Sequence, residues 1–496
     1  MSKVLVGLYI CRHDANICTF DGEDFKYLQL ERYFNIKHYS NPNLYEWRKI
    51  LKDVFNYDLS DIKAVGISLN DNYNGNYHQN QNEVVEQTDI LGLSIPTYNV
   101  DHHYAHALSS LSDTKNHFVS DCQGNYRRWI SILNDKKIID TKHDPVDGKS
   151  FGLALDEMGF FMGVGPAYHF DNAGKIMAFN GYGEINNTYL NFMNKYGLEH
   201  SHITLEYNNL ENVLNKFLTP KDTWDFVKTF HHRYSILFQE YLSRYFNEKD
   251  VFTYSGGVMQ NIVINTKLKE KFRNIEINPV GYDGGLSIGA LEAVRQIFDY
   301  PKINIKNYPF IQEDECPEQP SQETIDKTAE MLAQGKVVMW YQGKGEAGPR
   351  ALGNRSILVN PNVRYAKEMV NEKVKKREWY RPYGASVKSD KYRDYFKLDW
   401  ESPYMLYQAQ CLDPANFQSI THADGSCRIQ TVSPFSNSVF YNLLDSFEKI
   451  TGFPILLNTS MNLPGYPIVG NFENTKKMFD NSQCDGLIIG NNILTK

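Results

Sequence analysis

Residues 99–110 read NVDHHYAHALSS, and two of the histidines, His102 and His106, stand four positions apart. On a helix, positions i and i+4 share a face, so both imidazoles can reach one ion. A histidine pair is half a site, and a partly buried helix with hydrogen-bonded histidines is the competing reading. Two aspartates are candidate partners. Asp121 ends a strand in VSDCQGN, and Asp283 stands between a strand and a helix in GYDGGLS. Two imidazoles and two carboxylates suit Fe2+, Mn2+ or Zn2+ and leave room for an exchangeable ligand.

Two glycine turns suggest a second chemistry. YSGGVMQN carries Ser255, Gly256, Gly257 and Asn261; YDGGLS carries Gly284. Each joins a strand to a helix, where glycine lets the backbone approach a nucleotide and a helix start favours anions. Lys175 lies in a third glycine-containing stretch, AGKIMAFNGYG. A tight turn without ligand explains one such motif; three favour nucleotide binding. No GxxxxGK[ST] loop is present.

The C-terminal part holds a dense cationic set. GKGEAGPRALGNRS carries Lys344, Arg350 and Arg355; VKKREWYRPYG carries Lys375, Arg377 and Arg381; HADGSCRIQTV carries His422 and Arg428. Arginine forks match phosphate bidentately. A solvated charged face is the usual alternative, but these cations are interleaved with Gly, Pro and aromatics. Asn458 and Ser460, in FPILLNTSMNLPG, stand at a strand end that suits phosphate or carbonyl donors, with strand-to-turn capping as the alternative.

The elements that position these residues alternate in type. KVLVGLYI, DIKAVGISL and IPTYNV read as buried strands, and HHYAHALSSL as a helix behind the last of them. NHFVSDCQGNYRRWISILNDKKIIDTKH reads as strands joined by turns. TWDFVKTFHHRYSILFQEYLSRYF has helical periodicity. VFTYSGGVMQNIVINTKLKEKF and IEINPVGYDGGLSIGALEAVRQIF both run strand, Gly-Gly turn, helix. Residues 301–320, rich in Pro, Asn and charge, read as a linker. Beyond it, helix and strand begin a second α/β unit that runs to Lys496. No internal repeat is visible.

Composition narrows the classes. The chain has 496 residues and a net charge of −7, with an isoelectric point near 6.1. No basic block tracks a phosphate backbone, so no nucleic-acid polymer is indicated. Seven scattered cysteines without CxxC pairs read as reduced thiols of a cytoplasmic protein. The N-terminus reads as a first strand, not a signal peptide. No apolar stretch approaches the about 20 residues that span a bilayer, so no membrane partner is expected.

The same motifs carry a resemblance. GKGEAGPRALGNRSILVNP, KKREWYRPYGASV, HADGSCRIQTV and ILLNTSMNLPG resemble the C-terminal signature of the O-carbamoyltransferases of nodulation-factor and antibiotic biosynthesis. CRHDANICTFDG, DHHYAHALSS, GKIMAFNGYG, SGGVMQN and YDGGLSIGAL resemble the N-terminal half in the same order. The resemblance implies an α/β fold of two domains: residues 1–300 similar to the actin/hexokinase-like (ASKHA) fold, and residues 321–496 similar to a YrdC-like domain. It implies that carbamoyl phosphate and ATP, with Mg2+, give carbamoyl-AMP, whose carbamoyl group passes to a hydroxyl of a small-molecule acceptor: a sugar, a natural product, or a modified nucleoside or nucleotide. It places His102, His106, Asp121 and Asp283 on the ligands of an iron-type metal, His13 on a catalytic position and Lys37 near the transferred group. It places the C-terminal cations on phosphate-binding motifs, and a homodimer is the assembly it suggests.

The chain departs from the pattern in places. The usual acidic pair before Arg32 is reduced to Glu31, the usual Asp-Gly-x-Gly-Glu reads DCQGN, and YRPYGAS replaces the common Phe-Ala-Pro wording. Two other readings compete: a threonylcarbamoyl-AMP-dependent tRNA-modifying enzyme, and a non-catalytic actin-like nucleotide sensor.

Overall fold

The computed structural model describes residues 3–40, 42–69, 84–87, 94–135, 137–143, 150–166, 171–194, 219–316 and 318–496. The chain is mixed α/β and forms two compact units. One comprises Met1–Val65, Ile90–Ile95 and Asp299–Lys496; the other comprises Gly66–Asp89 and Pro96–Phe298.

The first unit contains two sheets. In one, the strand order is Gly343–Glu346, Phe310–Cys316, Phe25–Gln29, Ala15–Phe20, Val4–Ile10, Ile62–Leu69. Apolar, β-branched runs such as VLVGLYI, buried along nearly their whole length, explain these central strands. Phe310–Cys316 lies inside the stretch expected to be a linker. It pairs antiparallel with Gly343–Glu346 and parallel with Phe25–Gln29. Its FIQEDEC sequence hides the strand because one join is made by a polar side chain. The buried Gln312 accepts the Gln29 N–H at its Oε1, 3.1 Å away, and donates from Nε2 to the Gln29 carbonyl.

The second sheet of this unit has nine strands, in the order Phe396–Lys397, Gln408–Cys411, Ser426–Val432, Gly384–Lys388, Ile455–Ser460, Arg355–Val359, Val338–Tyr341, Gly486–Ile489, Asn492–Thr495. Helices Gln322–Ala333 and Ser438–Thr451 present Ile325, Ala329, Leu332, Phe440, Leu443, Leu444 and Phe447 to Trp340, Leu358, Leu456 and Ile488 of the sheet. Each of these apolar side chains is worth about 1.5–3 kcal/mol when fully buried. Across adjacent strands, Arg428, Gly384 and Asn458 are register partners, which puts three sequence motifs in one row.

The other unit has a five-stranded sheet, in the order Ile275–Ile277, Phe252–Ser255, Asn116–Ser120, Arg128–Asn134, Lys137–His143. Its first three strands in chain order form an antiparallel meander, and Phe252–Ser255 then adds parallel to Asn116–Ser120. Third, second, first, fourth is also the order of Phe25–Gln29, Ala15–Phe20, Val4–Ile10 and Ile62–Leu69. The chain thus repeats a strand order that its sequence does not repeat. The long helix Pro220–Leu242 starts at a capping box of Thr219 and Asp222 with proline in its first turn. No described helix is long and apolar enough to cross a membrane.

Candidate metal centre and cationic cluster

The paired histidines lie on His102–Leu108, a seven-residue helix buried throughout. Such a short helix is held by its ends and its packing. Asp101 caps it by accepting the Tyr104 N–H, and Arg128 pairs with Asp101 at 3.0 Å. Asn125 Oδ1 accepts the His102 N–H at 2.8 Å. Helix Leu286–Ile297 packs against it through Gly289, where a Cβ would lie 1.8 Å from the Ala105 carbonyl oxygen. Only glycine allows that approach.

Asp121 follows strand Asn116–Ser120, and its backbone N–H donates to the Trp129 carbonyl. Its two oxygens have different partners: Oδ1 accepts the Gly257 N–H at 2.8 Å, and Oδ2 faces the histidines. Gly256 makes this possible with φ 98°, and a Cβ there would lie 2.2 Å from the Ser120 carbonyl oxygen. The SGG turn, expected to approach a nucleotide, therefore also fixes a carboxylate. Asp283 opens the turn Asp283–Gly285 that precedes helix Leu286–Ile297. Gly284 sits under the Tyr282 ring and Gly285 against the Val280 carbonyl.

The four side chains converge. His102 Nε2 is 2.9 Å from Asp121 Oδ2 and 3.2 Å from His106 Nε2. His106 Nε2 is 3.5 Å from Asp121 Oδ2 and from Asp283 Oδ1, and His102 Nε2 is 3.9 Å from Asp283 Oδ1. Donors bound to one ion at about 2.1 Å stand about 3.0 Å apart at right angles and about 3.4 Å apart in a tetrahedron. The donor set and spacing fit a divalent ion. The electrostatics agree, because the buried carboxylates of Asp121 and Asp283 face the imidazoles of His102 and His106. Burial opposes protonation of His106, yet Asp121 and Asp283 outweigh it and lift its pKa to about 9. Burial likewise opposes ionisation of Asp121, but His102 and His106 hold it well below the carboxylate range. His103 turns elsewhere, to Ser131 Oγ at 2.8 Å, and burial followed by Arg128 keeps it neutral.

In the same unit, Ser255 ends its strand fully buried. Asn261 caps helix Ile262–Lys271, accepting the Val263 and Ile264 N–H groups, while its Nδ2 meets His231 Nε2 at 3.0 Å. Lys175 donates to the Val164 carbonyl at 3.4 Å.

In the first unit, His13 follows strand Val4–Ile10, and its Nδ1 lies 3.0 Å from Asp14 Oδ2. Lys37 comes two residues after Asn35, which ends helix Leu30–Phe34 in the left-handed conformation. The C-terminal cations separate into two groups. Arg350, Arg377, Arg381 and Arg428, all half-buried, converge closely enough that neighbours within the set lower the pKa of Arg350, Arg377 and Arg428. Burial and then Arg381 bring Arg350 to about 10; burial and Arg381 do the same to Arg377. Burial and then its three neighbours push Arg428 down furthest. Glu378 pairs with Arg381 at 3.2 Å. Among the described residues, Arg377 and Arg428 have no ion pair. Like charges gathered in this way are stabilised by an anion.

The remaining predicted cations are committed to the protein. Arg355 is fully buried and donates to Gln342, Asn354, Gly343 and Asp314 while stacking 3.6 Å over Tyr341. Lys344 pairs with Glu313 at 2.6 Å. Lys375 Nζ donates to Ser460 and Asn462, and burial, then Arg377 and Arg381, lower its pKa strongly. His422 accepts the Ala423 N–H in a turn. Asn458 Nδ2 donates to Ser386 Oγ and the Ala351 carbonyl, bracing the Arg350 loop from below.

Two residues that the sequence reading passed over hold that loop most firmly. Glu346 is fully buried, and its Oε1 accepts the N–H groups of Leu352, Asn354 and Arg355 at 2.7, 2.9 and 3.2 Å. Arg32, also buried, donates to the carbonyls of Glu346 and Gly348. The signal was available in principle: a glutamate within GKGEAGPRALGNRS, and an arginine inside a strand-to-helix junction.

Residues 329–496 match the family model described as Carbamoyltransferase C-terminus. The chain is 33% identical to the nodulation protein NolNO of Sinorhizobium fredii, over 49% of this chain and 39% of that protein. It is 30% identical to the 3'-hydroxymethylcephem-O-carbamoyltransferase of Amycolatopsis lactamdurans, over 48% of this chain and 47% of that protein. The chain spans about half the length of the curated relatives it matches. Among solved structures, component A of the (R)-2-hydroxyglutaryl-CoA dehydratase of Acidaminococcus fermentans aligns with a TM-score of 0.38 at 11% identity, covering 59% of this chain and 97% of that one.

Proposed function

From the match of residues 329–496 to the family model described as Carbamoyltransferase C-terminus, we propose that the chain is an ATP-dependent O-carbamoyltransferase. The observation that carries the reading is the convergence of Arg350, Arg377, Arg381 and Arg428 within the matched region. Carbamoyl phosphate and ATP bring many negative oxygens to one place, and four clustered guanidiniums match them. In this reading, carbamoyl phosphate, ATP and water give carbamoyl-AMP, phosphate and pyrophosphate. The carbamoyl group then passes to an acceptor hydroxyl, and AMP leaves.

The protein's own groups divide the work. The arginines bind and orient the phosphates. Glu346 and Arg32 keep the Arg350 loop in place. His13 takes the acceptor proton; Nε2 is the receiving atom, because Asp14 engages Nδ1. Lys37, which the resemblance of its motif sets near the transferred group, is assigned that place in this reading. His102, His106, Asp121 and Asp283 would hold a divalent transition metal, with iron first. When bound, it would supply Lewis-acid stabilisation of phosphate or leaving-group charge. The repeated strand order supports an actin/hexokinase-like reading of the metal-bearing fold, and the C-terminal sheet is read as YrdC-like. The acceptor class is a small molecule with a free hydroxyl, such as a sugar or natural product.

The test is release of pyrophosphate from ATP. It is expected to require carbamoyl phosphate and to be lost in Arg350→Ala. A wild-type protein that releases none, or a variant that matches wild type, refutes the proposal.

A further inference from the structure

The chain has six tryptophans. Five are buried or half-buried, whereas Trp379 is 64% exposed. Leaving an indole in water forgoes the burial that large aromatic side chains usually supply. Its position is specific. Lys376, at φ 43°, turns the chain into Arg377–Glu378–Trp379–Tyr380–Arg381. The Arg381 N–H donates to the Glu378 carbonyl at 3.2 Å, and the Arg381 guanidinium pairs with the Glu378 carboxylate. These bonds close a β-turn with Trp379 and Tyr380 at its centre. Pro382 follows and stiffens the exit. Tyr380 stands edge-on to the indole, with centroids 5.9 Å apart and planes at 88°.

Both flanks of this turn are members of the arginine cluster. Two residues of extended chain span at most about 7 Å, so Trp379 lies that close along the backbone to Arg377 and to Arg381. Its ring thus stands on the same braced turn as two of the four guanidiniums. A braced, exposed aromatic ring beside clustered positive charge suits a ligand with an anionic part and a flat part. A nucleotide has both.

We propose that Trp379 is a stacking platform for the base of the nucleotide whose phosphates the arginine cluster holds. The inference rests on the phosphate-binding reading of that cluster. Stacking of a base on an aromatic side chain tolerates any base, and its loss is expected to weaken binding roughly ten-fold.

The experiment uses the full chain, its Trp379→Phe and Trp379→Ala variants, and two probes: ATP, and tripolyphosphate, which has the charge but no ring. Tryptophan fluorescence is quenched with acrylamide in the presence of each probe. The proposal expects ATP to shield an emission component absent from Trp379→Phe. Tripolyphosphate is expected to compete with ATP without shielding. Trp379→Ala is expected to weaken ATP binding roughly ten-fold and leave tripolyphosphate binding unchanged. Equal shielding by both probes, or unaltered ATP affinity in Trp379→Ala, overturns the stacking role alone. Tripolyphosphate that fails to compete with ATP overturns the anion reading of the cluster, and the inference falls with it.

Discussion

The two candidate centres are built on opposite electrostatic plans. Around His102 and His106, carboxylates and imidazoles face each other, and much of the charge is already balanced within the protein. Around Arg428, four cations gather, and Glu378 pairs with Arg381. The supporting backbone differs as well. The four converging side chains are placed by glycines that let backbone touch backbone, at Gly256 and Gly289. The arginine loop is held by polar side chains that grip backbone groups, Glu346 on its N–H groups and Arg32 on its carbonyls. A site for a small cation needs donors fixed within tenths of an ångström. A site for an extended anion needs charge and reach more than a fixed distance, so mobile side chains on a braced loop suffice.

The contrast is broken most strongly by removing charge where it is uncompensated. Arg428→Met should lower exchange of pyrophosphate into ATP, with carbamoyl phosphate present, by about 100- to 1000-fold. An undiminished rate would show that the four arginines do not act as one anion site. Disturbing the backbone plan comes next. Gly256→Ala forces a side chain onto the Ser120 carbonyl in a conformation that disfavours it. It is expected to cost about 3 kcal/mol of stability and to strip metal, read by thermal unfolding and elemental analysis. Arg355→Lys loses the fork that serves four carbonyls and Asp314. A loss of about 2 kcal/mol is expected, with exchange falling only as the folded fraction falls. A loss of exchange in fully folded protein would move Arg355 into the anion site. The smallest effect has the opposite sign: Arg428→Met, by relieving repulsion, should raise stability by about 1 kcal/mol. A lower melting temperature would mean that the cluster is compensated within the protein.

The same contrast explains what the sequence could reveal. The candidate metal ligands are legible because histidine and aspartate at helix, strand-end and turn positions leave few alternatives, and all four converge. The arginines were legible as a set, but not the division among them. Arg350 and Arg355 stand five apart in one motif, yet one joins the cluster and the other is buried against Tyr341. That difference depends on which carbonyls close over each guanidinium, and those come from Asp314 and Gln342, distant in sequence or featureless in it. Strand Phe310–Cys316 escaped because Gln312 does with its amide what apolar alternation does elsewhere. The repeated strand order escaped because topology can recur when side chains do not.

The central claim is that the arginine cluster makes the activated carbamoyl group while the metal site serves its transfer. Pyrophosphate exchange into ATP, with carbamoyl phosphate, should be measured for wild type, Arg428→Met and the His102→Ala, His106→Ala double variant. The account predicts exchange in wild type and in the metal-free double variant, and loss in Arg428→Met. Loss of exchange in the histidine variant as complete as in Arg428→Met, with both proteins folded, would contradict it.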